Sequence, residues 1–269
     1  MLSKKVLTYY FFLFGISSLV CFGQNDSKYY TNNNNNWLIE IPIWVPGFRG
    51  QLSYGDIYLD TEIPKDEKDL ERIETNPGLE FYFVGRAAYR YKRFSLQVDA
   101  FSGKVGNTFT FNPTRGGNEK ELVYMSAKGS IPRLILAYSV WKKNINKHSS
   151  IEILPYAGLR YMYIHFESDI FDGNQQIDLI AKWYEPLVGV SIPYNYKRIR
   201  LRVQADYGGA SNKSSFMINS HAKYRLSRLM DVKLGWTSIY SNYTESIQNQ
   251  PLDFSIALHG PTVGVGFNF

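Results

Sequence analysis

The sequence predicts an all-β chain closed into an antiparallel, up-and-down transmembrane β-barrel of about ten strands, with eight as the alternative count. Three observations predict it. Apolar and polar residues alternate with period two through one segment after another, as strands with one greasy and one polar face require. Aromatic residues make up 16% of the 269 positions. Mean hydropathy is nevertheless only −0.28, and no internal run of about 18 apolar residues offers a helical span. Finally, the apolar faces carry no charged residue. A soluble sandwich also alternates, but its outward faces meet water. In a membrane barrel a Lys or Arg on the lipid face costs about 2–4 kcal/mol at the midplane.

The amino terminus stands apart from the barrel. Lys4 and Lys5 precede an uncharged run from Val6 to Val20, and Cys21-Phe22-Gly23 follows. This is the layout of a secretory signal, residues 1–23, cut before Gln24. The run is short for a membrane anchor, and Val20 stands where a lipoprotein signal needs a small residue. Cys21 is the single cysteine. A chain cut after Gly23 therefore has no thiol, no disulfide and no cysteine metal site. Residues 24–36 are polar, end in five asparagines and read as a disordered leader. The barrel domain is then 37–269.

The first strand runs from Trp37 to about Tyr54. The second, Leu79 to Tyr91, sets Ala87, Tyr89 and Tyr91 against Glu80, Arg86 and Arg90. The third, Phe94 to about Thr108, sets Phe94, Leu96 and Val98 against Gln97 and Asp99. The fourth, Glu121 to Trp141, has Leu134, Leu136 and Tyr138 opposite Arg133. In the fifth, Ile151 to Phe166, Ala157, Leu159 and Tyr161 oppose Glu152 and Arg160. In the sixth, Ile180 to Ile192, Pro186, Val188 and Val190 oppose Glu185 and Gly189. The seventh, Arg198 to Tyr207, alternates most sharply: Ile199, Leu201, Val203 and Ala205 against Arg200, Arg202, Gln204 and Asp206. The eighth, Phe216 to Leu226, sets Phe216, Ile218 and Ala222 against His221, Lys223 and Arg225. The ninth, Met230 to Tyr243, sets Val232, Leu234 and Trp236 against Asp231 and Lys233. In the tenth, Leu252 to Phe269, Pro261, Val263, Val265, Phe267 and Phe269 share one face. Gly260, Thr262, Gly264, Gly266 and Asn268 share the other, which is too small and polar for a second apolar layer.

The connections alternate in length. Residues 56–78, 109–120, 167–179, 208–215 and 244–251 are the longer ones; 92–93, 142–150, 193–197 and 227–229 are mostly shorter. Short turns on one side, long loops on the other and an even strand number are the habit of membrane barrels. Aromatic residues gather where the faces end, among them Tyr91, Trp141, Tyr161, Tyr163, Trp183, Tyr184, Tyr196, Tyr207 and Trp236. Such rings favour the headgroup level.

Several short motifs, in order, resemble a family of small outer-membrane β-barrel proteins of Gram-negative bacteria. They are Trp44-Val45-Pro46-Gly47 with Gly50, the run Pro155 to Tyr161, and Trp183 with Glu185-Pro186-Leu187-Val188-Gly189. Asp206-Tyr207-Gly208-Gly209 and Gly260 to Phe267 complete the set. Glu185 departs from the Asp the family favours. The resemblance implies the fold and an outer-membrane location, with lipid and the barrel-assembly machinery as partners. It implies that Phe267 and the terminal Phe269 act as the assembly signal. It carries over no catalytic residue.

Chemistry-bearing clusters are few. The interior is expected to hold a charge network of Glu80, Arg86, Asp99, Glu152, Arg160, Glu185, Arg200, Arg202, Asp206, His221, Lys223 and Arg225. It reads either as a salt-bridged plug or as an anion-attracting constriction. His221 is the nearest catalytic candidate, with Asp206 on the neighbouring strand. Pairing around residues 208–215, however, brings Arg202 opposite it. The acidic first loop contains Lys65 to Glu74, a short-helix candidate, and its acids match no calcium-loop spacing. No phosphate loop, dinucleotide fingerprint or zinc motif occurs, so no cofactor or metal is expected. The net charge of +6 is spread along the chain and does not point to nucleic acid. The expected molecule is thus a non-enzymatic outer-membrane barrel with a filled or very narrow lumen: envelope scaffold, surface binder or narrow pore. The alternative is an outer-membrane enzyme acting on lipid or peptide at the rim. Oligomeric state is not legible.

Overall fold

The computed structural model describes residues 37–54, 57–60, 79–111, 121–170, 175–247 and 249–269. The signal segment, the leader and the Lys65–Glu74 helix candidate lie outside the described residues. Those that are described are all-β. The strands are β1 (Trp37–Trp44), β2 (Gly47–Tyr54), β3 (Ile57–Asp60), β4 (Leu79–Tyr91), β5 (Phe94–Phe111), β6 (Glu121–Tyr138) and β7 (Trp141–Asn146). Then come β8 (Ser149–Ile170), β9 (Gln175–Tyr196), β10 (Ile199–Ala210), β11 (Lys213–Arg225), β12 (Met230–Ile247) and β13 (Gln250–Asn268).

Every neighbouring pair is antiparallel, and the sheet closes on itself because β1 pairs with both β4 and β13. At the seam Trp37 donates to the Phe269 carbonyl at 3.2 Å and Phe269 donates back at 3.0 Å. β1 and β2 form one stave broken at Pro46, whose ring removes a ladder donor. β6 and β7 form another: β6 lies between β5 and β8, and β7 carries the pairing with β8 on past the start of β5. The short β3 bridges β2 and β5 at the far end. Ten staves make the ring, the number read from the sequence. Among the described residues closure pairs every strand on both sides except β7, which pairs with β8 alone, and a backbone in lipid needs such pairing.

Trp37, Phe269 and the turns at Lys92-Arg93, Lys147-His148, Lys197-Arg198 and Ser227–Leu229 share one rim, the short-turn rim. The opposite rim differs from expectation. Residues 208–215 and 244–251 are not long loops: β10 runs to Ala210 and β11 starts at Lys213, while β12 runs to Ile247 and β13 starts at Gln250. Residues 167–179 are also largely strand. β8 and β9 have 22 residues each, about twice the 9–11 that cross a bilayer. Along the extra length the outward face carries polar residues, such as His165, Glu167 and Lys182. Alternation therefore continues there with its outward face turned polar.

Candidate functional site

Three bands divide the barrel. Around the short-turn half the outer wall is apolar: Ile39, Ile41 and Ile43 on β1, Leu96 and Val98 on β5, Val188 and Val190 on β9, Leu201 and Val203 on β10, Val263 and Val265 on β13 are all exposed. Behind that wall the interior is ionic. Arg86, Arg133, Arg160, Lys223, Arg225 and Lys233 are buried there with Glu40, Asp99, Glu152, Glu185, Asp206 and Asp231. Opposite charges in equal number, greasy outside and ionised inside, invert the pattern of a water-soluble protein. The chain has the fold of an outer-membrane β-barrel.

The interior ions are tied across the lumen. Arg133 on β6 grips Asp99 with both ends of its guanidinium, at 2.6 and 2.8 Å, and reaches Asp206 on β10 at 2.8 Å. Arg160 on β8 pairs with Asp206 and, at 3.1 Å, with Glu185. Tyr156 donates to Asp206 at 2.9 Å, and Trp183 to Glu185 at 3.1 Å. Ser215 also bonds Glu185. Nearer the short-turn rim, Glu40 receives Lys223, Lys233 at 3.3 Å and Arg86 at 3.5 Å. Arg86 also meets Asp99 at 3.3 Å. Asp231 takes Arg225 at 3.2 Å and Asn268 at 2.9 Å. Arg90 clamps Glu152 at 2.5 and 3.0 Å. Shared carboxylates repay part of the desolvation that each buried charge costs.

Glycine makes room for this layer. A β carbon at Gly189 would stand 2.5 Å from the Tyr156 ring, and one at Gly208 would stand 2.7 Å from a Glu185 oxygen. The small residues of two motifs singled out in the sequence thus leave space for a tyrosine and a carboxylate.

Of the twelve interior residues read from the sequence, Arg86, Asp99, Glu152, Arg160, Glu185, Asp206, His221, Lys223 and Arg225 are buried inside. Arg200 and Arg202 are half-buried near the short-turn rim, where Arg200 donates to Asn195 at 2.7 Å. The Glu80 side chain lies outside the described residues. His221 stands opposite Arg202 in the ladder and meets Asn219 at 2.8 Å. Glu40, Arg133, Asp231 and Lys233 belong to the layer and were not among the twelve. Arg133 and Lys233 were legible as polar-face residues of their strands; Glu40 follows from the exposed Ile39, Ile41 and Ile43 that flank it.

Beyond the ionic layer the interior turns apolar, which corrects the expectation of a polar lumen throughout. Met162, Ile164 and Phe166 on β8 and Leu179, Ala181 and Trp183 on β9 are buried against Trp44, Phe101, Ile239, Phe254 and Ile256. Trp183 is therefore an interior residue and not part of a headgroup girdle. It packs on Tyr243 with ring centroids 5.0 Å apart, and Tyr243 stacks on Phe254 at 4.8 Å. The outer wall at this level carries Tyr163, His165, Glu167, Lys182, Asn242 and Ser255. A cavity of about 50 Å³ lies inside, between Trp44, Phe101, Ile131, Met162, Ile164 and Ile256.

The wet end carries its own ion pairs. Lys128 bonds Glu167 at 2.9 Å and Lys213 bonds Glu245 at 2.6 Å, and each hydrogen bond holds the carboxyl below its ordinary range. His165 places Nε2 2.6 Å from Asp178 and Nδ1 3.5 Å from Glu167. Among the described residues no cluster of His, Cys, Asp and Glu is arranged to hold a metal ion.

No family model matches the chain, and no curated protein matches it. Solved structures do. Ail, the attachment invasion locus protein of Yersinia pestis, is similar at a TM-score of 0.30 and 10% identity over 87% of this chain and 99% of its own. The outer membrane protein OprG of Pseudomonas aeruginosa is similar at 0.33 and 14% over 87% and 96%. Outer membrane protein AlkL is similar at 0.37 and 13% over 91% and 95%. These likenesses are of outline, and the barrel assignment rests on this chain's own closed pairing.

Proposed function

We propose that the chain is an integral protein of a bacterial outer membrane whose lumen is shut, and that it acts without catalysis as a rigid envelope scaffold and surface binder. The observation that carries this is the cross-lumen ionic layer. Arg133 and Arg160 have no exposed side-chain surface, and their partners come from β5, β9 and β10. A permeating ion would have to part pairs whose separation leaves an uncompensated buried charge. Phe269 is the expected signal to the assembly machinery, together with Phe267, and lipid is the expected solvent of the apolar wall. The signal segment directs the chain across the inner membrane.

Single-channel recording of the protein refolded into a planar bilayer tests the shut lumen. Silence is expected between about −100 and +100 mV, since 100 mV does only about 2.3 kcal/mol of work on a unit charge. Steady ion-sized openings would replace the scaffold with a narrow pore.

A further inference from the structure

We infer that the short-turn rim is a binding collar for anionic phospholipid headgroups. The inference rests on the membrane reading above and adds a partner to it. Exposed cations stand at all four turns of that rim. The β4–β5 turn supplies Lys92 and Arg93. The β7–β8 arm supplies Lys142, Lys143 and Lys147. Lys197 comes from the β9–β10 turn and Arg228 from the β11–β12 turn; all are solvent-exposed.

No exposed acidic side chain answers them among the described residues. Glu40, Glu152 and Asp231, the acids nearest this rim, are buried, and of the collar cations only Lys142 faces one of them, Glu152, across the β7–β8 ladder. The opposite end is different: Glu167, Asp178, Glu245 and Asp253 stand there among Lys128, Lys182 and Lys213, several of them paired.

The sequence repeats one device around the collar. Tyr91 is followed by Lys92, Trp141 by Lys142 and Tyr196 by Lys197, and every aromatic of the three is exposed. Lys92 lies 5.3 Å from the Tyr91 ring centroid and Lys197 lies 5.5 Å from that of Tyr196. Exposed aromatics at the end of a lipid-facing wall sit at the headgroup boundary. The next residue outward then meets the phosphate level. That placement favours a lipid phosphate over a soluble acidic partner, because the cations are continuous with a surface already in lipid. Each Lys or Arg so placed raises affinity for an anionic leaflet a few-fold, and salt screens the effect.

The barrel, refolded into phosphatidylcholine vesicles, carries its own reporters at the rim in Trp37 and Trp141, both exposed. Their fluorescence is quenched by brominated acyl chains of neighbouring lipids. Brominated phosphatidylglycerol is expected to quench at least about threefold more effectively than brominated phosphatidylcholine at equal fraction. The preference should vanish at about 0.5 M salt. It should also vanish in a variant carrying K92Q, R93Q, K142Q, K143Q, K147Q, K197Q and R228Q, all surface changes. Millimolar inorganic phosphate should leave it intact. Equal quenching by the two lipids, or a preference the variant keeps, overturns the collar. Loss of the preference to free phosphate would reduce it to a simple anion site. Equal lipid quenching with tight binding of soluble polyglutamate would reassign the rim to an acidic protein. Absence of quenching by either lipid would remove the membrane reading itself.

Discussion

Arg133 shows what a single side chain does in this molecule. It has no exposed surface, holds Asp99 with two hydrogen bonds and bridges to Asp206. Replacing it with Met leaves two carboxylates buried beside an apolar chain. The expected loss is about 3–5 kcal/mol of stability, read from urea unfolding of the protein in vesicles. R133M combined with D99N should lose less, because one of the two stranded charges goes with its partner. Alternation assigned these residues to the interior. It could not pair them, because the partners lie far apart in the chain: Arg133 meets Asp206 73 positions away and Lys233 meets Glu40 193 away. Only the register of a closed ring sets such distances. Glu40 shows the same limit: Ile39, Ile41 and Ile43 told which way it points, but not that three cations converge on it.

At the scale of a strand, the wall has two solvents. Val203 lies within the apolar band of β10 and is 51% exposed. Ser255 lies on the outward face of β13 beyond that band. V203R is expected to cost about 2–4 kcal/mol of folding stability in vesicles, and S255R about 0–1. Similar costs at both positions would mean that the bilayer does not end where the outward residues change character. Strand existence was legible because period two survives in every stave. Strand ends on the outer side were not. Past Tyr161 the inward residues of β8 become Met162, Ile164 and Phe166 while the outward ones become His165 and Glu167. Alternation persists and only its polarity reverses, so polar outward residues were taken for loop. Trp183 was misplaced for the same reason: an indole near a strand's wet end is read as a girdle residue unless the reversal is seen.

The whole molecule is a closed tube with an ionic floor, an apolar upper chamber and a cationic rim. Each part follows from the side chains the staves present: isoleucine and valine outward around the short-turn half, paired charges inside it, polar residues around the outer extension, and lysine and arginine at the short turns. Ten staves give a ring that side chains can fill. The central claim is that the face of β10 bearing Ile199, Leu201 and Val203 touches lipid while Arg200, Arg202 and Gln204 look inward. Residues 24–269 contain no cysteine, so single cysteines placed along 199–207 can carry a spin label without background. Their accessibility to oxygen and to a polar relaxation agent, measured in vesicles, tests the claim directly. Oxygen access should peak at 199, 201, 203 and 207 and fall at 200, 202, 204 and 206. A polar agent reaching 203 as freely as oxygen does, or oxygen access highest at 202, would contradict it.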